Sequence, residues 1–239
     1  MRATLDKLRI YGPARFASFA RSELRYRLKR VLRHSYSQLD EDLVADRLLG
    51  RKDSGFYVDV GANDPSRFNN TMRFYQRGWR GISIEPNQKC FSRLDKKRPL
   101  DINLNIGVSD TSGTLEFYRF FPDTLSTFSK READRYVKLG YTLADAREIT
   151  VTTLADIALM YIRDRPVDIL SVDTEGRDLE VLKGNDWATF MPRVIIIESA
   201  KHESAGDKAS GFDRVEALLA EVGYKKVHDN GLNSIFITS

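Results

Sequence analysis

A chain of 239 residues, 41% hydrophobic and 30% charged, is long enough to bury a full core and fits one large α/β domain with an appendage better than two equal domains. Its single cysteine, Cys90, excludes a disulfide framework or a cysteine cluster of metal-ligand spacing, so a reducing, cytoplasmic setting is expected. The net charge of +4 is uneven: residues 1–34 hold ten basic side chains against Asp6 and Glu23, a net of +8, leaving the remainder at −4.

That basic arm, taken as residues 1–50, comes first. Phe16, Phe19, Ala20, Leu24, Leu28, Val31 and Leu32 recur at spacings of three and four, which predicts an amphipathic helix with arginines on its other faces. Its apolar stripe either packs on the main domain or lies in an anionic membrane surface. Nucleic-acid binding is the third option, and no helix-turn-helix, RNA-recognition or zinc-finger pattern supports it. No run approaches the roughly 18 apolar residues of a membrane span, and no apolar signal region opens the chain, so it is expected to be soluble or peripheral at the inner membrane surface.

Alternating units follow over residues 51–239. "DEDLVADRLLG" predicts a helix stopped near Gly50, followed by the strand "FYVDV", a helix near "NTMRFYQRGW", and the strand "GISIEPN". "DINLNIGVSD" predicts a third strand that turns through Ser112 and Gly113 into "TLEFYRF" as a hairpin. Residues 121–147 are charged and weakly periodic and are expected to be an insertion, partly helical, that closes over a site. Then come a short strand around "EITVTTL", a helix from Leu154 to Arg163, the strand "VDILSVD", the helix "RDLEVLKG", the strand "RVIIIES", the helix "GFDRVEALLAEVG", and the closing strands "YKKVHD" and "NSIFIT". This order implies a Rossmann-like, mostly parallel sheet with helices on both faces and a ligand crevice at the carboxyl ends of the strands.

Asp59, Glu85 and Asp173 each close a predicted strand and so project toward one sheet edge. Glu85 follows Gly61 at the spacing from which an acidic residue accepts hydrogen bonds from a ribose diol, in a nicotinamide dinucleotide or an adenosyl cofactor alike. The loop discriminates between them. Gly61 is followed by Ala62, Asn63 and Asp64 without the further glycines a pyrophosphate needs, and Asp64 would repel phosphate. S-adenosylmethionine carries ammonium, carboxylate and sulfonium groups and no phosphate, so Asp59 and Asp173 would attract it. No Tyr-x-x-x-Lys pair, phosphate-binding loop or G-x-S-x-G elbow is present. The plain alternative is an α/β domain whose acidic strand ends merely cap helices.

The blocks "FYVDVGANDP", "GWRGISIEPN", "NIGVSD", "VDILSVDTEGRDLEVLKG" and "RVIIIES", preceded by "SYSQLDEDLV", resemble in order the FkbM-type S-adenosylmethionine-dependent methyltransferases over roughly residues 36–200. The resemblance implies that Asp59, Gly61, Ala62 and Asn63 contact the methionine portion and ribose, and that Glu85 holds the ribose hydroxyls. It places Pro86 and Asn87 beside the adenine, Gly107 and Val108 at its border, Asp173 at the methionine end, and Gln38 within reach. Many members of that family carry a second glycine two residues after the loop asparagine, where this chain has Pro65. FkbM-type enzymes methylate hydroxyls, often on polyketides or on sugars of exported glycans and glycolipids. The implied acceptor is a saccharide or glycolipid, and the narrowest form of that expectation is the fucose 2-hydroxyl of a nodulation lipo-chitooligosaccharide.

Methylating a sugar hydroxyl needs a base, or a metal that lowers the hydroxyl pKa. His202, in the loop after "RVIIIES", is the first candidate base, and Glu175, two residues beyond Asp173, is the second. Glu175 would otherwise sit at the N-terminus of the following helix, where the dipole favours negative charge. Asp173, the third candidate catalytic residue, could instead hold Mg²⁺ together with Glu198. Two competing functions remain in view: an RNA methyltransferase using the basic arm, and a non-catalytic binding module that kept the fold.

Overall fold

The computed structural model describes residues 26, 28, 30–199 and 211–238. Its centre is a seven-stranded sheet of order β3-β2-β1-β7-β8-β10-β9. The strands are β1 (Phe56–Val60), β2 (Arg80–Ile84), β3 (Ile102–Leu104), β7 (Ile169–Val172), β8 (Val194–Glu198), β9 (Tyr224–Asp229) and β10 (Asn233–Thr238). β1, β2, β3, β7 and β8 are parallel, while β10 runs antiparallel to both β8 and β9. All five residues of β1 are buried, as expected of a strand covered on both faces. Its side chains alternate between two cores: Phe56, Val58 and Val60 in one, Tyr57 in the other.

Helices α5 (Leu154–Ile157), α6 (Asp178–Lys183) and α7 (Gly211–Glu221) supply Leu154, Ile157, Val181, Leu182, Val215 and Leu219 to the first core. The second core takes Ala45 and Leu49 from helix α1 (Glu41–Leu48) and its C-cap, and Phe74 from α2 (Met72–Gln76). Ala45 and Leu49 thus join the residues just before position 50 to the packed core. Within the arm, residues 26, 28 and 30–33 are helical and Leu28, Val31 and Leu32 are exposed, while Phe16, Phe19, Ala20 and Leu24 of the expected stripe lie outside the described residues.

The middle of the chain departs from expectation. A second sheet, ordered β4-β6-β5, joins β4 (Gly107–Val108), β6 (Thr142–Thr152) and β5 (Gly113–Phe121). The expected hairpin between the third strand and "TLEFYRF" does not form. Asn105 turns its side-chain amide onto the carbonyls of Glu85 and Pro86, at 2.8 and 3.1 Å, between β3 and β4. β5 then pairs antiparallel with β6, and β4 pairs parallel with it. Residues 121–147 thus contain helix α4 (Lys130–Lys138) and the first half of an eleven-residue strand. The helix expected over Leu154–Arg163 stops being α-helical at Ile157, continues as a π turn over Ala158–Ile162, and ends at Arg163 with φ +54°.

Candidate functional site

Parallel strands end at one edge, and the connections leave β1 and β7 in opposite directions, so their carboxyl ends open a crevice. Gly61 continues β1 with φ +80°, and its amide and that of Ala62 donate to the Ile84 carbonyl at 3.0 and 3.1 Å. A Cβ added at Gly61 would stand 1.9 Å from the carbonyl oxygen of Asp173. Only glycine permits that approach, which brings the two strand ends together.

The crevice widens into a cavity of about 1050 Å³. Gln38, Asp59, Gly61, Ala62, Asn63, Glu85, Pro86, Gly107, Val108, Asp173 and Glu175 all line it. Asn87 does not. It caps α3 (Gln88–Lys97), accepting from the Lys89 amide, and lines a neighbouring cavity of about 420 Å³ on the far side of Pro86. His202 lies outside the described residues.

Glu85 is buried, and its two carboxylate oxygens accept from the backbone amides of Asn63 and Asn87, each at 2.7 Å. Burial pushes its carboxyl up to about 7, against the downward pull of those two amides. Asp59, on the cavity wall, also has partners within the fold. Its Oδ2 accepts from Thr71 Oγ1 at 2.6 Å and Asn69 Nδ2 at 3.2 Å, and the Arg98 guanidinium lies 3.9 Å away. Arg98 is fully buried and also donates to Thr71 Oγ1, Asn69 Oδ1 and the Pro65 carbonyl at 2.7, 2.6 and 2.9 Å. One guanidinium therefore offsets the Asp59 charge and pins the loop that carries Pro65. Sequence reasoning missed Arg98, because in "DKKRPL" it reads as one more solvated cation.

Gly107 presses against the far wall, where an added Cβ would meet Phe128 Cζ at 2.5 Å. The Phe117 and Phe128 rings pack at 4.7 Å and line the cavity there. Phe121, Asp123, Leu125 and Tyr141 line it too, so the β5–β6 segment forms one of its walls. Their scatter in the sequence gave no periodic signal.

At the other end, Asp173, Glu175 and Glu198 each offer a carboxylate oxygen, all within 4.8 Å of one another. Glu175 sits at φ +54°, and its Oε2 accepts from the Tyr136 hydroxyl at 2.5 Å, while its carbonyl accepts from Thr127 Oγ1 at 2.8 Å. At the start of α6, the Asp178 Oδ1 accepts from the Thr174 amide at 3.0 Å, while Glu175 is held by the segment between β5 and β6. Cys90 is buried with its thiol pushed up to about 12 by burial, and is inert as a nucleophile. Among the described residues no helix is long and apolar enough to cross a membrane.

The methyltransferase sdnD of Sordaria araneosa is 28% identical over 202 residues, covering 73% of this chain and 75% of that protein. Among solved structures, the METTL16 methyltransferase domain aligns over 84% of this chain and 67% of its own, at 13% identity and a TM-score of 0.46. A methyltransferase from Geobacter sulfurreducens in complex with S-adenosyl-L-homocysteine aligns over 84% and 70%, at 10% identity and a TM-score of 0.35. Residues 59–226 match the methyltransferase FkbM domain, well over half of the chain, and the protein belongs to that family of S-adenosylmethionine-dependent methyltransferases.

Proposed function

We propose that the protein transfers a methyl group to a hydroxyl of a saccharide in a glycolipid or oligosaccharide, with Glu175 as the base. The observation that carries this is the Glu175 carboxylate on the cavity wall, held by Tyr136 beside Asp173 at the mouth of the β1–β7 crevice. The cradle suits the methyl donor. Glu85 would accept the ribose hydroxyls, the backbone at Gly61, Ala62 and Asn63 would follow the ribose and methionine, Gly107 and Val108 with Phe128 would border the adenine, and Gln38 and Asp173 would face the amino-acid end. Pro86 would flank the adenine, with Asn87 acting through the hydrogen bond that its backbone N–H donates to Glu85. When bound, the donor supplies an electrophilic methyl on a sulfonium. Glu175 would take the hydroxyl proton as the acceptor oxygen gains that methyl.

The acceptor class is argued from the wall. Phe68, Phe121 and Tyr141 offer apolar faces among polar side chains, a mixture suited to a ring with C–H faces and hydroxyl edges. Asp59, Asp64, Glu85, Asp123, Asp173 and Glu175 outnumber Arg67 and Arg93 in the lining, which speaks against the phosphates of RNA. The lining suits a saccharide hydroxyl in general, and no lining residue singles out the fucose of a nodulation factor. A second reading rests on the carboxylate cluster: Asp173, Glu175 and Glu198 would hold Mg²⁺, which would lower the hydroxyl pKa in place of a base. The test is incubation with methyl-labelled S-adenosylmethionine and a glycolipid extract, read by mass spectrometry. A methyl increment on glycolipids supports the proposal, and label on RNA alone overturns it. Loss of transfer in chelator, restored by Mg²⁺, selects the second reading.

A further inference from the structure

We infer that the helical residues before position 34 dock the protein on an anionic lipid surface, with the cavity rim anchored beside that contact. This goes beyond the methyl-transfer reading and rests on separate observations. Leu28, Val31 and Leu32 are 52%, 71% and 76% exposed. Their spacing of three and one places them on one helix face, so this face is apolar and largely uncovered by the described residues. Arg30 and Arg33 are exposed among them. Arg30 leans over the Tyr36 ring at 5.4 Å and Arg33 pairs with Asp40 at 2.8 Å while staying 65% exposed.

The helix is nevertheless tied to the domain. Tyr26 is 6% exposed, its hydroxyl donates to the Ser66 carbonyl, and its ring meets Phe68 edge-on at 5.4 Å. The Arg67 guanidinium lies 3.8 Å from the Phe68 ring centroid and 5.9 Å from that of Tyr26. Arg67 and Phe68 both line the main cavity. The exposed face is thereby fixed near the rim.

Charge chooses the occupant. Residues 1–34 carry +8 and the rest of the chain −4. A second copy of the same segment would be repelled by that charge, and an RNA backbone has no use for a leucine and valine stripe. An anionic bilayer answers both features, taking apolar side chains at its acyl boundary and arginines among its headgroups, with an attraction that salt screens.

The experiment is cosedimentation of the full-length chain with vesicles of phosphatidylcholine alone or of phosphatidylcholine mixed with phosphatidylglycerol. Binding is expected to the mixed vesicles only, weakened by salt, and reduced at least about ten-fold when Leu28→Ser, Val31→Ser and Leu32→Ser are combined. The same triple variant should keep a melting temperature close to that of the wild type, because those side chains are largely exposed. As a second readout, an environment-sensitive dye on Leu32→Cys should shift to the blue with mixed vesicles. A chain that stays in the supernatant with both vesicles, a triple variant that binds as wild type, or a triple variant that loses self-association or RNA binding instead, overturns the inference. These outcomes are independent of whether any saccharide is methylated.

Discussion

The hydroxyl of Tyr136 donates to Oε2 of Glu175 at 2.5 Å, joining helix α4 to the loop that leaves β7. Burial first, and the Glu175 and Glu132 carboxylates after it, push the phenol well above its ordinary value, so it stays a donor across the physiological range. Glu175→Gln is therefore expected to lower methyl transfer by about 10²-fold to 10⁴-fold while leaving S-adenosylhomocysteine binding unchanged by calorimetry. Tyr136→Phe keeps the ring packing against Phe120 and Tyr141 but frees the carboxylate, for a loss of about ten-fold in kcat. Wild-type turnover in Glu175→Gln would remove Glu175 from the chemistry.

Glu85 makes cofactor binding depend on pH. Its folded carboxyl titrates at about 7 instead of 4.5 because burial outweighs the two amides it accepts from. Raised in the folded state, the group contributes stability fully below pH 4.5 and loses that contribution as pH rises through 7. Ribose hydroxyls donate to the ionised form, so binding below pH 7 must expel the proton, and affinity falls by up to about ten-fold per pH unit there. Calorimetry at pH 6 in buffers of different ionisation enthalpy is expected to report release of close to one proton, absent in Glu85→Gln. An affinity constant from pH 6 to 8 would count against the assignment.

Much of this was legible in the sequence, for a physical reason. A parallel strand buried on both faces is a continuous apolar run, so "FYVDV" and "DILSV" mark themselves, and parallel strands must end at one edge, which gathers Asp59, Glu85 and Asp173 around one cavity. β6 was only partly legible, since "TLADAREITVT" is mostly exposed and alternates apolar with polar residues only at Ile149 and Val151; pairing with β5 makes the rest a strand. The roles of Asp59 and Glu175 were illegible because their partners, Arg98 and Tyr136, are 39 residues distant in each case. Such partnerships arise only in the folded chain.

Arg98 invites a stability measurement. It bridges Thr71, Asn69 and Pro65 with one planar fork and lies 3.9 Å from Asp59 and 4.0 Å from Asp101, with no exposed surface. Arg98→Ala leaves two buried carboxylates without their cation and is expected to cost about 3–5 kcal/mol in urea denaturation. Arg98→Lys restores the charge but replaces the fork by a single ammonium, so it should recover only part of that loss. A substitution cost within about 0.5 kcal/mol, the scale of a surface position, would contradict the network.

Gly61 and Gly50 separate backbone strain from close approach. Both adopt positive φ, +80° and +68°, yet a Cβ at Gly50 meets nothing within 4 Å whereas one at Gly61 lies 1.9 Å from the Asp173 carbonyl. Gly50→Ala is expected to cost about 1–2 kcal/mol of stability, the left-handed penalty alone, and to leave cofactor affinity untouched. Gly61→Ala must also push β1 and β7 apart, stretching the 3.0 Å bond from the Asp173 amide to the Val60 carbonyl. The separation displaces Asp173 and Glu175 from Gly61 and Asn63 by something near 1 Å, a misplacement that costs about a hundred-fold in methyl transfer. Equal effects of the two substitutions on cofactor affinity would mean that the strand ends tolerate the side chain, and that the contact at Gly61 does not shape the site.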